Sequence, residues 1–255
     1  MIQKNVLLIA ISMLVILGAC TPVADDPTKI SDLPETEIPE NETGNSKQTY
    51  EEVLGNVKLA VETEVELKLP GNIPIENGYL TATTTSSQNN YEVHFYVTNV
   101  PIPVNDPSLH DAHPYMIVHG TKFESPEAAK AKINYEPIID GADKVDLGHG
   151  ITGDNDAGAG STFLTWHEGR WSFSMRNLNN EIGNKAMIDL AKQIVEKLEG
   201  QTLPAPQTIG AGMFDMNSDG AAANSLMWQQ KDVVYEVYTA DPLVLVDTVT
   251  ESMEK

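Results

Sequence analysis

The pattern that most constrains the fold is a β-hairpin followed by an amphipathic helix, which occurs twice in the second half of the chain. In the first copy, strands flank a turn at residues 168–170, and a helix predicted over 184–198 carries one apolar stripe. In the second copy, strands flank residues 229–232 and precede a helix predicted over 242–253. Such a repeat favours an α+β fold: an antiparallel sheet built from tandem hairpin-plus-helix units, with the helices packed on one face.

The first half of the chain shows similar patterns less regularly. Alternating apolar and charged residues over 57–69 predict a half-buried strand, because successive side chains of a strand point to opposite faces. Ser125 as N-cap and Pro126 in the first turn predict a helix to about Asn134. Further strands are predicted over residues 79–85, 91–97, 115–119 and 145–151, and a loop over 153–160.

Four aromatic residues of the two hairpins are candidates to line a binding groove: Trp166, Trp171, Trp228 and Tyr235. Trp166 and Trp228 hold equivalent positions near the end of the first strand. Such side chains can line a groove for a sugar or peptide, but they more often form the core beneath a helix. We therefore expect core positions.

The segment Trp166-His167-Glu168-Gly169, followed by an aromatic strand and an amphipathic helix, resembles a small domain of unknown function. That domain is found in Gram-positive sporulation lipoproteins and anti-sigma factors. Because the resemblance rests on aromatic and apolar core positions, it implies no catalytic residues.

The N-terminal residues have the anatomy of a signal peptide over residues 1–19: Lys4, an apolar run from Val6 to Leu17, and then small residues. The alternative, a transmembrane helix, needs ~20 apolar residues and the run is shorter. The segment Leu17-Gly18-Ala19-Cys20 resembles the lipobox of bacterial lipoproteins. That resemblance implies a diacylglycerol on Cys20, whose acyl chains, such as palmitate, anchor the chain to the extracytoplasmic face of a bacterial cell membrane.

Composition divides the remaining chain into two parts. Residues 20–52 are rich in proline, acidic and small polar residues, which predicts a disordered tether behind the lipidated N-terminus. Residues 53–255 are predicted to form a single extracytoplasmic domain that contains the repeat units 145–200 and 206–255. Because Cys20 is the only cysteine, this domain is held together without disulfides.

The net charge of −21 argues against nucleic acid as a partner, since both carry negative charge. The expected partners are the lipid bilayer, through the diacylglycerol on Cys20, and an unknown protein or small ligand.

Asp215, Asn217 and Asp219 form a candidate calcium site. With Gly220 they match positions one, three, five and six of a calcium-binding loop. Position twelve is Leu226 instead of a bidentate Glu, so another carboxylate is needed, such as one from Asp154 or Asp156. The alternative is an Asn/Asp/Gly turn stabilised by local hydrogen bonds.

The six histidines form the second group of candidate metal ligands: His94, His110, His113, His119, His149 and His167. A zinc site needs three or four converging ligands, and no spacing among these residues guarantees convergence. The alternative is that they are exposed loop residues and residues on strand faces.

The sequence contains neither a Gly-x-Ser-x-Gly nucleophile elbow nor a His-Glu-x-x-His zinc motif. We therefore expect a non-catalytic binding or interaction domain on a membrane-anchored lipoprotein. The alternative is a metal-dependent extracellular hydrolase that uses the histidine and aspartate clusters, which requires at least three of those side chains in one cleft.

Replacing Cys20 with Ser tests the membrane anchor, because it removes the thiol that would carry the lipid. We expect Cys20→Ser to be lost from the membrane fraction and to incorporate no labelled palmitate. Thr21→Ser keeps the cysteine and should behave like the parent chain. A Cys20→Ser protein that still entered the membrane fraction with the lipid label would contradict the lipoprotein prediction.

Overall fold

The computed structural model describes residues 49–138, 141–220 and 222–253. The predicted signal peptide, Cys20 and nearly all of the predicted tether lie outside the described residues. The first helix, α1 (Tyr50–Ala60), begins inside the segment that composition assigned to the tether. Within the described parts of the chain, none of the helices combines the length and apolar character needed to cross a bilayer.

Ten strands in the described residues form one sheet, in the order β1-β2-β3-β10-β9-β8-β7-β6-β5-β4. The strands are β1 (Tyr79–Ser87), β2 (Asn90–Thr98), β3 (Met116–Lys122), β4 (Asp143–Gly148), β5 (Ile151–Gly158), β6 (Ser161–Glu168), β7 (Trp171–Leu178), β8 (Gly210–Asp215), β9 (Asn224–Gln230) and β10 (Val233–Thr239). Neighbouring strands are antiparallel except β7 and β8, which are parallel and joined through helix α3 (Glu181–Gly200). The predicted α+β class with a largely antiparallel sheet is confirmed.

Three helices cover one face of the sheet, and one short helix lies on the other. Helices α1, α3 and α4 (Pro242–Ser252) share a single core with the strands. Helix α2 (Pro126–Lys130) instead packs Ala129 against Ala211, Met227 and Val234, which belong to a separate cluster. We call the face covered by α2 the second face.

The two predicted hairpin-plus-helix units have matching aromatic pairs. Trp166 on β6 lies opposite Phe173 on β7, with ring centroids 5.0 Å apart. Trp228 on β9 lies opposite Tyr235 on β10, with centroids 5.5 Å apart. Trp166, Trp228 and Tyr235 are at most 2% exposed, and Trp171 is 5% exposed, so these aromatic residues form the core, as expected.

The strand predicted over residues 57–69 is wrong. Thr49 and Glu52 form a capping box that starts α1: the Glu52 amide donates to Thr49 Oγ1, and the Thr49 amide donates to Glu52 Oε2. Val53 and Val57, four residues apart, then bury one face of the helix. The alternating residues beyond Ala60 belong to no strand of the sheet, and Val65 and Leu69 pack into the core.

Two further predictions also need correction. The strand predicted over 145–151 is divided between β4 and β5, which turn at His149 and Gly150, both with positive φ. The loop predicted over 153–160 is mostly β5. Residue 153 in this strand has to be a glycine, because a Cβ there would lie 2.7 Å from the Leu164 side chain.

The predicted helices differ from the observed ones at their ends. Helix α2 ends at Lys130, four residues before the predicted end at Asn134. Helix α3 starts earlier than predicted because Asn180 caps it, and Gly200 is its last residue instead of the residue beyond its end.

Gly212 and Gly55 provide a matched pair for testing the core. A Cβ on Gly212 would lie 2.5 Å from the buried Phe173 ring, whereas nothing lies within 4 Å of a Cβ on Gly55 in α1. We expect Gly212→Ala to lower the free energy of unfolding by about 1–3 kcal/mol through overpacking. Gly55→Ala should raise it by up to about 1 kcal/mol through helix propensity. Urea unfolding of both variants measures this, and an equally stable Gly212→Ala would contradict the close packing.

Candidate metal centre

Three potential metal ligands meet on the second face of the sheet. Glu92 and His94 are two residues apart on β2, so their side chains point to the same face. The register of β2 and β3 places Glu92 opposite His119, and the register of β3 and β10 places His119 opposite Glu236. Strands β2 and β3 therefore supply the three ligands, and β10 places Glu236 beside His119.

Both imidazoles present Nε2 to the Glu92 carboxylate. His94 Nε2 pairs with Glu92 Oε1, and His119 Nε2 lies 3.2 Å from Glu92 Oε2. One ligand atom from each residue lies within 4.8 Å of the others, and no other group of three His, Cys, Asp or Glu in the described residues does so. The histidine side chains are little more than a quarter exposed, so the cluster is half-buried.

The other nitrogen of the His94 ring faces a hydroxyl network. His94 Nδ1 lies 3.5 Å from Tyr96 Oη, which in turn lies 3.2 Å from Thr83 Oγ1. In metal sites, the nitrogen that does not bind the metal commonly contacts a polar group that orients the ring.

The Glu236 carboxylate faces Nδ1 of His119, the ring nitrogen that does not face Glu92. His119 Nδ1 lies 3.9 Å from Glu236 Oε2, and Glu236 Oε1 accepts a hydrogen bond of 2.7 Å from the Tyr238 hydroxyl. The rings of His119 and Tyr238 are also in contact, with centroids 5.5 Å apart. Glu92 on β2, His119 on β3 and Glu236 on β10 thus lie side by side across three neighbouring strands.

Burial lowers the pKa of the His119 imidazole, and the Glu92 and Glu236 carboxylates oppose this effect. Burial thus favours the neutral ring, which is the form that binds metals. His119 Nε2 is buried and has no hydrogen bond, although Glu92 Oε2 is only 3.2 Å away. An unsatisfied buried polar atom costs about 1–3 kcal/mol, and a cation between the nitrogen and the carboxylate would satisfy both.

Two imidazoles and one carboxylate suit zinc and similar transition metals better than calcium, which prefers six to eight oxygen ligands. Three protein ligands also leave one position of a tetrahedral zinc site open. The cluster can therefore hold a metal ion that still accepts a further ligand.

The predicted calcium loop has a different arrangement. Asp215 ends β8, its Oδ2 lies 3.2 Å from Arg176 Nη1, and its Oδ1 accepts a hydrogen bond from the Asn217 amide. The Ser218 amide donates to the Asp215 carbonyl, which closes a turn of the kind named as the alternative. Calcium binding by Asp215, Asn217 and Asp219 stays a prediction, and an ion there would compete with Arg176 for Asp215.

The two aspartates proposed to complete that loop differ in position. Asp156 lines a cavity of about 410 Å³ on the second face together with Asp215 and Arg176. Asp154 is nearly buried and pairs with Lys144.

The remaining histidines lie apart from the centre. His110 and His113 are exposed around a short 3-10 helix, Pro107–Leu109. His149 Nε2 is 2.6 Å from Glu196 on α3, and this hydrogen bond raises the pKa of His149. His167 Nε2 donates to the Glu136 carbonyl.

Sequence reasoning named His94 and His119 but missed Glu92. The available signal was Glu92-Val93-His94 within a predicted strand, where i and i+2 share a face. The position of His119 depends on the pairing of β2 with β3, which residue spacing does not specify.

None of the three comparisons with known proteins, covering family models, curated proteins and solved structures, gives a match for this chain.

Proposed function

We propose that this chain is a membrane-anchored extracytoplasmic lipoprotein whose domain binds a divalent transition-metal ion, with zinc as the first candidate. The site consists of Glu92, His94 and His119. The observation that carries the proposal is the convergence of two Nε2 atoms on one carboxylate, one of them buried without a hydrogen bond. A cation between His119 Nε2 and the Glu92 carboxylate would satisfy the buried nitrogen that has no hydrogen bond.

The charge of the chain supports cation binding. A net charge of −21 raises the local concentration of cations at the surface. The lipid expected on Cys20 would keep the domain at the membrane without using any of its folded surface. The second face would thus be free to take up metal outside the cytoplasm.

A hydrolase is the second candidate, and one observation favours it. Three protein ligands leave room for a metal-bound water, whose pKa zinc can lower to about 7. Binding remains the better-supported function because the sequence contains no nucleophile elbow or His-Glu-x-x-His motif. Hydrolysis of a simple ester that depends on both zinc and His119 would favour the hydrolase.

Isothermal titration of the full chain with zinc tests metal binding. We expect one ion per chain, and His119→Ala or His94→Ala should weaken zinc binding by about 100-fold or more, because even the loss of an orienting contact costs 10–100-fold. His110→Ala is the matched control, since His110 is exposed and lies outside the cluster.

A wild-type chain that takes up no zinc, or a His110→Ala variant that loses as much affinity as His119→Ala, would contradict the proposed site. Thermal melting gives a second readout, since zinc at about a hundredfold above its Kd should add ~2.7 kcal/mol to the free energy of unfolding.

A further inference from the structure

We propose that the cavity of about 410 Å³ on the second face binds a linear aliphatic polyamine, with an ammonium group at each end of the cavity and methylene groups between them. Its volume lies in the range of about 300–1,000 Å³ that is typical of small-molecule sites. The cavity is built on β5 to β8, whereas the ligands of the proposed metal centre lie on β2 and β3. This proposal therefore goes beyond the proposed function and does not depend on it.

The registers of β5 to β8 form the floor of the cavity from two rows of side chains. The first row consists of Asp156, Phe163, Arg176 and Asp215, and the second consists of Thr165, Ser174 and Met213. The two rows are two residues apart along each strand, so they lie on the same face of the sheet.

The segment that follows α2 supplies the opposite end of the cavity through Glu136. The Glu136 amide donates to Ser172 Oγ at 3.1 Å, and the Glu136 carbonyl accepts a hydrogen bond of 2.8 Å from His167 Nε2. Because His167 is four residues from Phe163 on β6, Glu136 and the row of Phe163 are ~13 Å apart along the strand. The cavity is thus elongated and has a fixed carboxylate residue at each end, Glu136 and Asp156.

The charges of the cavity favour a ligand with two positive groups. Arg176 Nη1 lies 3.2 Å from Asp215 Oδ2, and Arg176 Nε donates to Ser161 Oγ, so this guanidinium already has its partners. Within the described residues, neither Glu136 nor Asp156 forms an ion pair. Two carboxylates at opposite ends therefore remain to be neutralised.

The middle of the cavity fits the stem of such a ligand. Thr165 lines the cavity, is only 4% exposed, and its hydroxyl forms no hydrogen bond within the described part of the chain. An amine in the ligand can donate to this hydroxyl. Phe163 is 37% exposed and offers its ring to methylene groups and to an ammonium group. A bare metal ion would leave this apolar surface unused.

Isothermal titration of the metal-free full chain with spermidine and with putrescine tests the proposal. The wild type should bind one spermidine, and the shorter putrescine should bind at least about tenfold more weakly because it reaches only one carboxylate at a time. Glu136→Gln and Asp156→Asn keep the shape and remove one charge each. Each should weaken spermidine binding by about tenfold or more and reduce the preference for spermidine over putrescine.

Glu62→Gln is the matched control, since it removes the same charge from an exposed residue outside the cavity. It should bind spermidine like the wild type, and so should His119→Ala, which alters only the proposed metal centre. A wild type that binds no spermidine would overturn the proposal. An equal loss in Glu62→Gln would also overturn it, because it would show a non-specific attraction of cations to the acidic chain.

Methyl NMR of the methionines tests the location of the ligand. The Met213 methyl resonance should shift when spermidine is added to the wild type, because Met213 lines the cavity. Spermidine that binds without shifting Met213, or that loses its affinity in His119→Ala, would lie elsewhere and overturn the proposal while leaving the metal centre untouched.

Discussion

The pairing of β3 with β10 is the interaction on which the rest of the structure depends. It joins a strand from the first half of the chain to the last strand, over seven residue pairs from Met116 with Thr239 to Lys122 with Val233. Without it, β1 to β3 and the C-terminal strands would not form one sheet. The same pairing places Val118 opposite Val237 in the core and His119 opposite Glu236 on the second face.

Along these strands, alternate side chains point to the core and to the face that carries the proposed metal centre. The side chains on one face of the sheet pack under α1, α3 and α4 in a core that contains no disulfide and includes the paired aromatic residues. Residues on the opposite face of β2 and β3 carry the ligands of the proposed metal centre, and β10 places Glu236 beside them. Because the ligands are attached to hydrogen-bonded strands, their spacing is set by the sheet, and little conformational entropy has to be lost when an ion binds.

The sequence predicted what depends on local patterns and missed what depends on long-range pairing. The two hairpins and helices around Trp166 and Trp228 follow from turn residues and helical periodicity, and they were predicted correctly. Helix α1 was missed because the alternation after Val57 concealed a capping box at Thr49 and Glu52. The proposed metal centre needs the register of β2 with β3, which places His119 opposite Glu92. The register of β3 with β10 adds Glu236, which lies more than a hundred positions after His119 in the chain.

X-ray absorption spectroscopy at the zinc edge of the zinc-loaded full chain tests the central claim most directly, because it identifies the ligand atoms. The account predicts nitrogen and oxygen neighbours at about 2.0–2.2 Å, with the multiple scattering of two imidazole rings. In His119→Ala the imidazole contribution should fall to one ring. A zinc ion surrounded only by oxygen, with no imidazole scattering, would contradict a metal centre at Glu92, His94 and His119.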